Sequence, residues 1–500
     1  MPHCSLLIRN ALVVDGSGAE PQLADVAIAS GRILALGSSA ELSRYHPKQI
    51  VDAEGKALAP GFIDAHTHDD LYLLHHPEMM PKLSQGVTTV IVGNCGISAA
   101  PVQLRGQLPD PMNLLGSPES FRFPNFASYV SAIQSTRPAV NVAAFVGHTS
   151  LRSNHMDRLD RSATTLEIAA MRAELQEALT CGALGLSTGL AYLSANSAST
   201  EEVAALAKPL GDAGAIYATH LRSETEAILQ AMDEACHIGR RARAPIVISH
   251  LKCAGIANWG RGPEVLEWLD SAGASQPIGW DCYPYAAGSS TLDLRQVDER
   301  VTIRITWSTP HPDQAGQTLA AIANSWGVTH QEAARRLQPA GAIYHSISEQ
   351  DMETILRHPA TMIGSDGLPN DPRPHPRLWG TFPRVLGHCR RERGLFPLAE
   401  AVRKMTSLPA ERFGLTGRGY VRAGYQADLV LFDADTVRDL ATFDNPTLPS
   451  VGIEAVWVDG KLTYHEQAHT GIRAGRFLPR QSRTEPGPPK DSAHPTFLSN

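Results

Sequence analysis

The sequence lacks several things that would assign it to a class at once. No stretch is apolar for long enough to span a bilayer. The opening, MPHCSLLIRNALVVDGSG, has no charged leading region, no long apolar segment and no small-residue cleavage site, so no secretory signal is expected. The seven cysteines (Cys4, Cys95, Cys181, Cys236, Cys253, Cys282 and Cys389) are scattered and odd in number. That argues against a disulfide framework and fits a reducing cytoplasm. There is no basic excess either: the formal net charge of -7 argues against a nucleic-acid partner.

What is present is a large globular chain, 500 residues with 43% hydrophobic, enough for a sizeable core. The first part reads as β. SLLIRNALVVDGSG and LADVAIASGRILALG are apolar runs with β-branched residues, separated by Gly and Asp turns. The same texture returns late, in ADLVLFDADTV and GIEAVWVDGKLTYHEQ. These ends predict a small β-sandwich domain built from residues 1–60 and 415–475. Between them, short apolar runs alternate with helical stretches such as TTLEIAAMRAELQEALTCG and STEEVAALAKPLGDAG, the pattern of βα units on a parallel sheet. Eight such runs, from GFIDAHTH to ATMIGSDG, predict an α/β fold, a (β/α)8 TIM-like barrel over residues 61–414. The interval 289–359, between the seventh and eighth runs, is too long for one crossover and reads as a small insertion. Residues 476–500, rich in Pro and polar residues, read as an extended tail.

The residues that end these runs carry chemistry. The first run ends in His66 and His68, the second in Cys95, the fifth in His220, the sixth in His250 and the eighth in Asp366. In a barrel the C-terminal strand ends surround the site. Two histidines two apart on a strand share a face, and imidazole, thiolate and carboxylate form a zinc donor set. Each residue alone has a bland reading: His-x-His occurs by chance, and a buried cysteine usually packs. The joint pattern carries the metal assignment. His148, also at a strand end, fits a site or a packing role. The remaining cysteines read as packing thiols, and RRARAP and RRERG as solvated helix ends.

PGFIDAHTHDD, GNCG, THLRSE, SHLK and GSDG, with HPRLWGTFPRVLG and MTSLPAERFGLTGRGYVRAGYQADLVLFD, resemble the amidohydrolase superfamily and within it the N-acyl-D-amino-acid deacylases (D-aminoacylases). Dihydroorotases and hydantoinases of that superfamily bridge two metals with a carboxylated lysine on the fourth strand; here that strand, GALGLSTGL, has none. The resemblance implies that Cys95 compensates, that Cys95, His220 and His250 hold one tight zinc, and that His66 and His68 form a second position, weakly filled or empty. It implies that Asp366 is the catalytic acid/base of a hydrolase that releases a free D-amino acid from its N-acyl derivative. It also implies that Lys252, Tyr283, Ser289 and Arg377 cradle the substrate α-carboxylate, with Tyr192 nearby.

Arg295, just past that cradle in STLDLRQVDERV, matches a side-chain carboxylate and favours N-acyl-D-glutamate; pairing with Asp293 or Glu299 is its bland alternative. The expected partner is therefore a small N-acyl-D-amino acid, not nucleic acid or membrane. A D-dipeptidase or cyclic-amide hydrolase of the same superfamily, or a metal-free scaffold, are the other readings. The sequence is silent on oligomeric state and acyl-group preference.

Overall fold

The computed structural model describes residues 3–104 and 106–481. Five strands come first: β1 (His3–Val13), β2 (Gln22–Ala29), β3 (Arg32–Gly37), β4 (His46–Asp52) and β5 (Ala57–Pro60). β1 pairs antiparallel with β2. Its other edge is divided, with residues 3–9 running parallel to β4 and Leu12–Val13 parallel to β5. The division falls at Asn10, whose φ of 53° kinks the strand where its register with β2 also shifts.

β6 (Phe62–Asp64), β7 (Val87–Val92) and β8 (Asn141–Ala144) form a parallel sheet. β9 (Val146–Gly147) continues β8 beyond Phe145 and opens a second parallel sheet with β10 (Gly185–Gly189), β11 (Ile216–His220), β12 (Ile246–Ile248) and β13 (Ile278–Cys282). The chain then makes β14 (Gly288–Thr291), β15 (Ile303–Ser308) and β16 (Ala340–Tyr344), a separate antiparallel sheet. β17 (Thr361–Ile363) returns to pair parallel with β13. The two parallel sheets are joined by hydrogen bonds at their edges: Leu184 N, just before β10, donates to Ala144 O of β8, and Ala65 N to Ile363 O. Aliphatic side chains from successive strands, among them Ile63, Ile91, Ala143, Leu184, Ala218, Val247 and Met362, form one buried cluster. These strands are nearly continuous apolar runs because both of their faces are covered.

The inserted sheet has its own core of Leu292, Ile305, Leu319, Leu337 and Tyr344. That core stops short of residue 359: helix Glu349–Arg357 buries Met352, Ile355 and Leu356 in the main core instead. STEEVAALAKPLGDAG becomes two helices, Thr200–Leu206 and Pro209–Ala213, because Pro209 has no N–H to continue the first.

β18 (Leu429–Phe432), β19 (Ile453–Val458), β20 (Lys461–His465) and β21 (Ala468–His469) end the described elements. β18 pairs antiparallel with β5, so both ends of the chain enter one nine-stranded sheet. On one face of this sheet a buried cluster contains Ile8, Val26, Ile33, Leu431 and Trp457, and other residues of the same strands, such as Val430 and Val456, bury in the main core. The start of the tail is tied down: Arg476 O accepts from Val142 N, and Arg480 N donates to Gly182 O. Residues 482–500 lie outside the described residues. Among the described residues, no helix is long and apolar enough to cross a membrane.

Candidate metal centre and substrate cavity

The C-terminal ends of β6, β7, β11, β12 and β17 bring His66, His68, Cys95, His220, His250 and Asp366 together. Beyond β6, alternation puts His66 and His68 on one side and Thr67 on the other. Beyond β7 the chain turns through Gly93, whose φ is +75° and whose β-carbon would lie 2.3 Å from Phe145 O. No larger residue fits there. Cys95 (φ 54°), His250 (φ 36°) and Asp366 (φ 47°) are all in left-handed backbone, rare for non-glycine residues. Each such conformation costs on the order of 1–3 kcal/mol and persists where its surroundings over-determine it, typically at functional sites.

Cys95 Sγ lies 3.3 Å from His66 Nε2 and 3.3 Å from His250 Nε2. One donor atom each from His66, Cys95, His250 and Asp366 falls within 4.8 Å of the others. The His220 ring centroid is 4.4 Å from that of His250. Asp366 Oδ1 is 3.2 Å from His68 Nε2 and 3.5 Å from His66 Nε2. Its Oδ2 is 2.9 Å from Arg377 Nη1. Burial opposes ionisation of Cys95, but the charges of His66 and His250 hold its thiol well below the ordinary range. Burial likewise opposes ionisation of Asp366. Arg377 and His250, with the His68 hydrogen bond, outweigh it and keep the group a carboxylate. Two buried ring nitrogens, His68 Nδ1 and His220 Nδ1, have no hydrogen-bond partner.

A cavity of about 690 Å³ opens beside this cluster. Its walls include Tyr192, Lys252, Tyr283, Ser289 and Arg295, and His220, His250 and Asp366 reach it from the metal side. Arg377 stacks over the Tyr283 ring at 4.5 Å. The buried hydroxyls of Tyr283 and Ser289 have no partner. Lys252 is already engaged, with Nζ 2.6 Å from Glu224 Oε1. Arg295 takes its bland alternative: Nε and Nη2 clasp Asp293, and Nη2 also donates to Ala191 O at 2.9 Å. It still lines the cavity.

Residues 49–464 match the amidohydrolase family. The chain belongs to that family. Among curated relatives of this amidohydrolase, three come from Alcaligenes xylosoxydans xylosoxydans. Its D-aminoacylase is 49% identical (95% of this chain, 97% of that one), and its N-acyl-D-aspartate deacylase 48% (95% and 95%). Its N-acyl-D-glutamate deacylase is 46% identical (95% and 97%). A structure of D-aminoacylase, described by its binuclear metal center with one-metal activation and second-metal attenuation, superposes with a TM-score of 0.93. It is 49% identical and covers 95% of this chain and 100% of that one. The N-acyl-D-glutamate deacylase of Bordetella bronchiseptica, complexed with zinc and a phosphonate mimic of the tetrahedral intermediate, superposes at 0.91. It is 44% identical and covers 96% and 100%.

Two further acids of this amidohydrolase, Glu224 and Asp281, back the cluster. Glu224 Oε1 is 3.0 Å from His250 Nδ1, and Oε2 is 3.6 Å from His220 Nε2. Lys252 and the two histidines, overcoming burial, hold Glu224 well below the usual carboxylate range. Asp281, at the end of β13, lies 3.4 Å from His66 Nδ1 and accepts from His250 N at 3.0 Å. Asp281 could have been found by the same strand-end rule that found Asp366; Glu224 closes the THLRSE motif but lies in the loop after β11, beyond the reach of that rule. His148 resolves as a packing residue: its Nε2 is 3.2 Å from Glu202, which also pairs with Arg152.

Proposed function

We propose that this chain is a zinc-dependent N-acyl-D-amino-acid deacylase, hydrolysing the amide of its substrate to a carboxylate and a free D-amino acid. The observation that carries this reading is Cys95 Sγ facing the Nε2 atoms of both His66 and His250 at 3.3 Å. A thiolate among imidazoles is a zinc donor set. The fit extends outward. His66 and His250 turn their Nδ1 atoms to the carboxylates of Asp281 and Glu224, the backing that orients metal-bound histidines. The buried, unpartnered Nδ1 atoms of His68 and His220 offer further donors that suit a cation. Cys95, His220 and His250 would hold the tight zinc, and His66 and His68 a second, weaker position. When bound, zinc polarises a carbonyl and lowers the pKa of a coordinated water to about 7.

The protein's own part is to orient and to move protons. Asp366, kept ionised and pinned by His68 and Arg377, can accept a proton at Oδ1 and return it to the leaving amine. Arg377, Lys252, Ser289 and Tyr283 suit the α-carboxylate; the two orphaned hydroxyls supply donors that the protein leaves unused. Tyr192, whose ring lies 4.9 Å from that of His220, closes the wall on the metal side. Arg295 favours N-acyl-D-glutamate, whose side-chain carboxylate must compete with Asp293. The three relatives of different named substrates differ by only a few percent in identity, so the cavity wall has to decide this.

We read the joined parallel sheets as one closed (β/α)8 barrel over residues 61–414, carrying the insertion, beside a terminal β domain of residues 1–60 and 415–475. Seven unpaired cysteines support a reducing cytoplasm. The test is a panel of N-acetyl-D- and N-acetyl-L-amino acids assayed with zinc restored. Hydrolysis confined to D substrates, led by D-glutamate, is expected. Failure to hydrolyse any D substrate overturns the reading.

A further inference from the structure

Lys82 lies in the short helix Met80–Leu83 and has 0% of its surface exposed. A lysine this deep persists only when paired. Its three ammonium protons have three acceptors: Asp64 Oδ2 at 2.8 Å, Thr67 Oγ1 at 2.9 Å and Ser365 Oγ at 2.9 Å. Asp69 Oδ2 completes the shell at 3.3 Å.

The choice of acceptors is informative. Thr67 is the residue between His66 and His68, on the opposite side of the segment. Ser365 immediately precedes Asp366. Asp64 accepts from the backbone N–H of both His66 and Ser365, at 3.3 and 2.8 Å. The same two segments are stitched in front of the lysine, where Asp366 N donates to His66 O at 2.7 Å and His68 N to Gly367 O at 3.1 Å. Every proton of Lys82 is thus spent on the ends of β6 and β17 or the strand residue beside them. Asp366 meanwhile sits in left-handed backbone that only its surroundings can hold.

We propose that Lys82 is a positioning residue: it locks the His66–Thr67–His68 segment to the Ser365–Asp366 turn and so sets the Asp366–His68 contact. The proposal rests on the deacylase reading for its kinetic consequence, but its geometric consequence stands apart. Replacing Lys82 would strand two buried carboxylates and threaten folding. The test therefore keeps the lysine and removes two of its acceptors, in a Thr67→Val, Ser365→Ala double variant.

The zinc-loaded double variant is assayed well below its Tm and crystallised. Misplacing a reacting group by about 1 Å costs on the order of 100-fold. A fall in kcat of about 10- to 100-fold is expected, with KM within about twofold. In the crystal, Asp366 should move out of hydrogen-bond reach of His68. Leu431→Ala, in the core of the terminal sheet, supplies a comparison that lowers Tm and leaves kcat unchanged. A double variant that keeps wild-type kcat, or keeps Asp366 on His68, overturns the positioning role. If wild-type protein hydrolyses no N-acyl-D-amino acid, the deacylase reading falls, and the position of Asp366 in the crystal still judges Lys82.

Discussion

A β-carbon on Gly189 would lie 2.2 Å from the carbonyl oxygen of Cys95. The loop that presents the thiol therefore occupies the space that a side chain at this point of the fourth parallel strand would need. Ser187, two residues earlier, joins the same arrangement: its hydroxyl donates to Gly93 O at 2.5 Å and accepts from Gly96 N at 3.1 Å. Any side chain at position 189 and this course of the Cys95 loop exclude each other on steric grounds. Gly189→Ala should displace Cys95 and weaken zinc binding. Chelator competition measures this, and wild-type affinity in the variant would contradict it.

Cys95→Ser should reduce bound zinc from stoichiometric to trace and abolish hydrolysis, because a hydroxyl stays protonated where a thiol ionises. Metal analysis of the purified variant checks this. A thiol that merely packs would cost some stability and leave zinc in place.

Asp366→Asn should keep the tight zinc and lower kcat by about 10²- to 10⁴-fold, the usual contribution of a general acid/base. A variant with zinc bound and full turnover would remove Asp366 from the mechanism.

Arg295→Leu should lower kcat/KM for N-acetyl-D-glutamate by tenfold or more, the loss of about one charge-assisted hydrogen bond. N-acetyl-D-leucine should be hydrolysed as well or better. Because Asp293 already occupies the guanidinium, an unchanged D-glutamate value is the informative contrary result: it would assign Arg295 to holding its own loop.

The His148–Glu202–Arg152 cluster should make the fold acid-sensitive. Burial, with Arg152 adding to it, lowers the folded pKa of His148 below 6.5. Glu202 is held at about 2 against 4.5, since His148 and Arg152 outweigh its burial. As pH falls below 6.5, and again below 4.5, the unfolded chain binds protons that the folded chain refuses, so stability drops toward pH 2. Thermal melts from pH 7 to 3 should show a falling Tm, with a shallower slope in Glu202→Gln. A flat profile would be inconsistent with the cluster.

Much of this protein could be read without coordinates, for physical reasons. Buried parallel strands must be continuous apolar runs, so the strand ends, and with them His66, His68, Cys95, His220, His250 and Asp366, stand out along the chain. Proline and glycine mark where elements stop, as Pro209 and Gly93 do. Folding alone decided what depends on side chains far apart in sequence. Lys82 looks like a surface lysine until Asp64, Thr67 and Ser365 close around it. Glu224 is only the last residue of THLRSE until His250 and Lys252 share it. Periodicity records which backbone is buried, because hydrophobic burial acts residue by residue. The charge state and partner of each polar group are set by neighbours tens to hundreds of residues away, and only the tertiary structure brings them into contact.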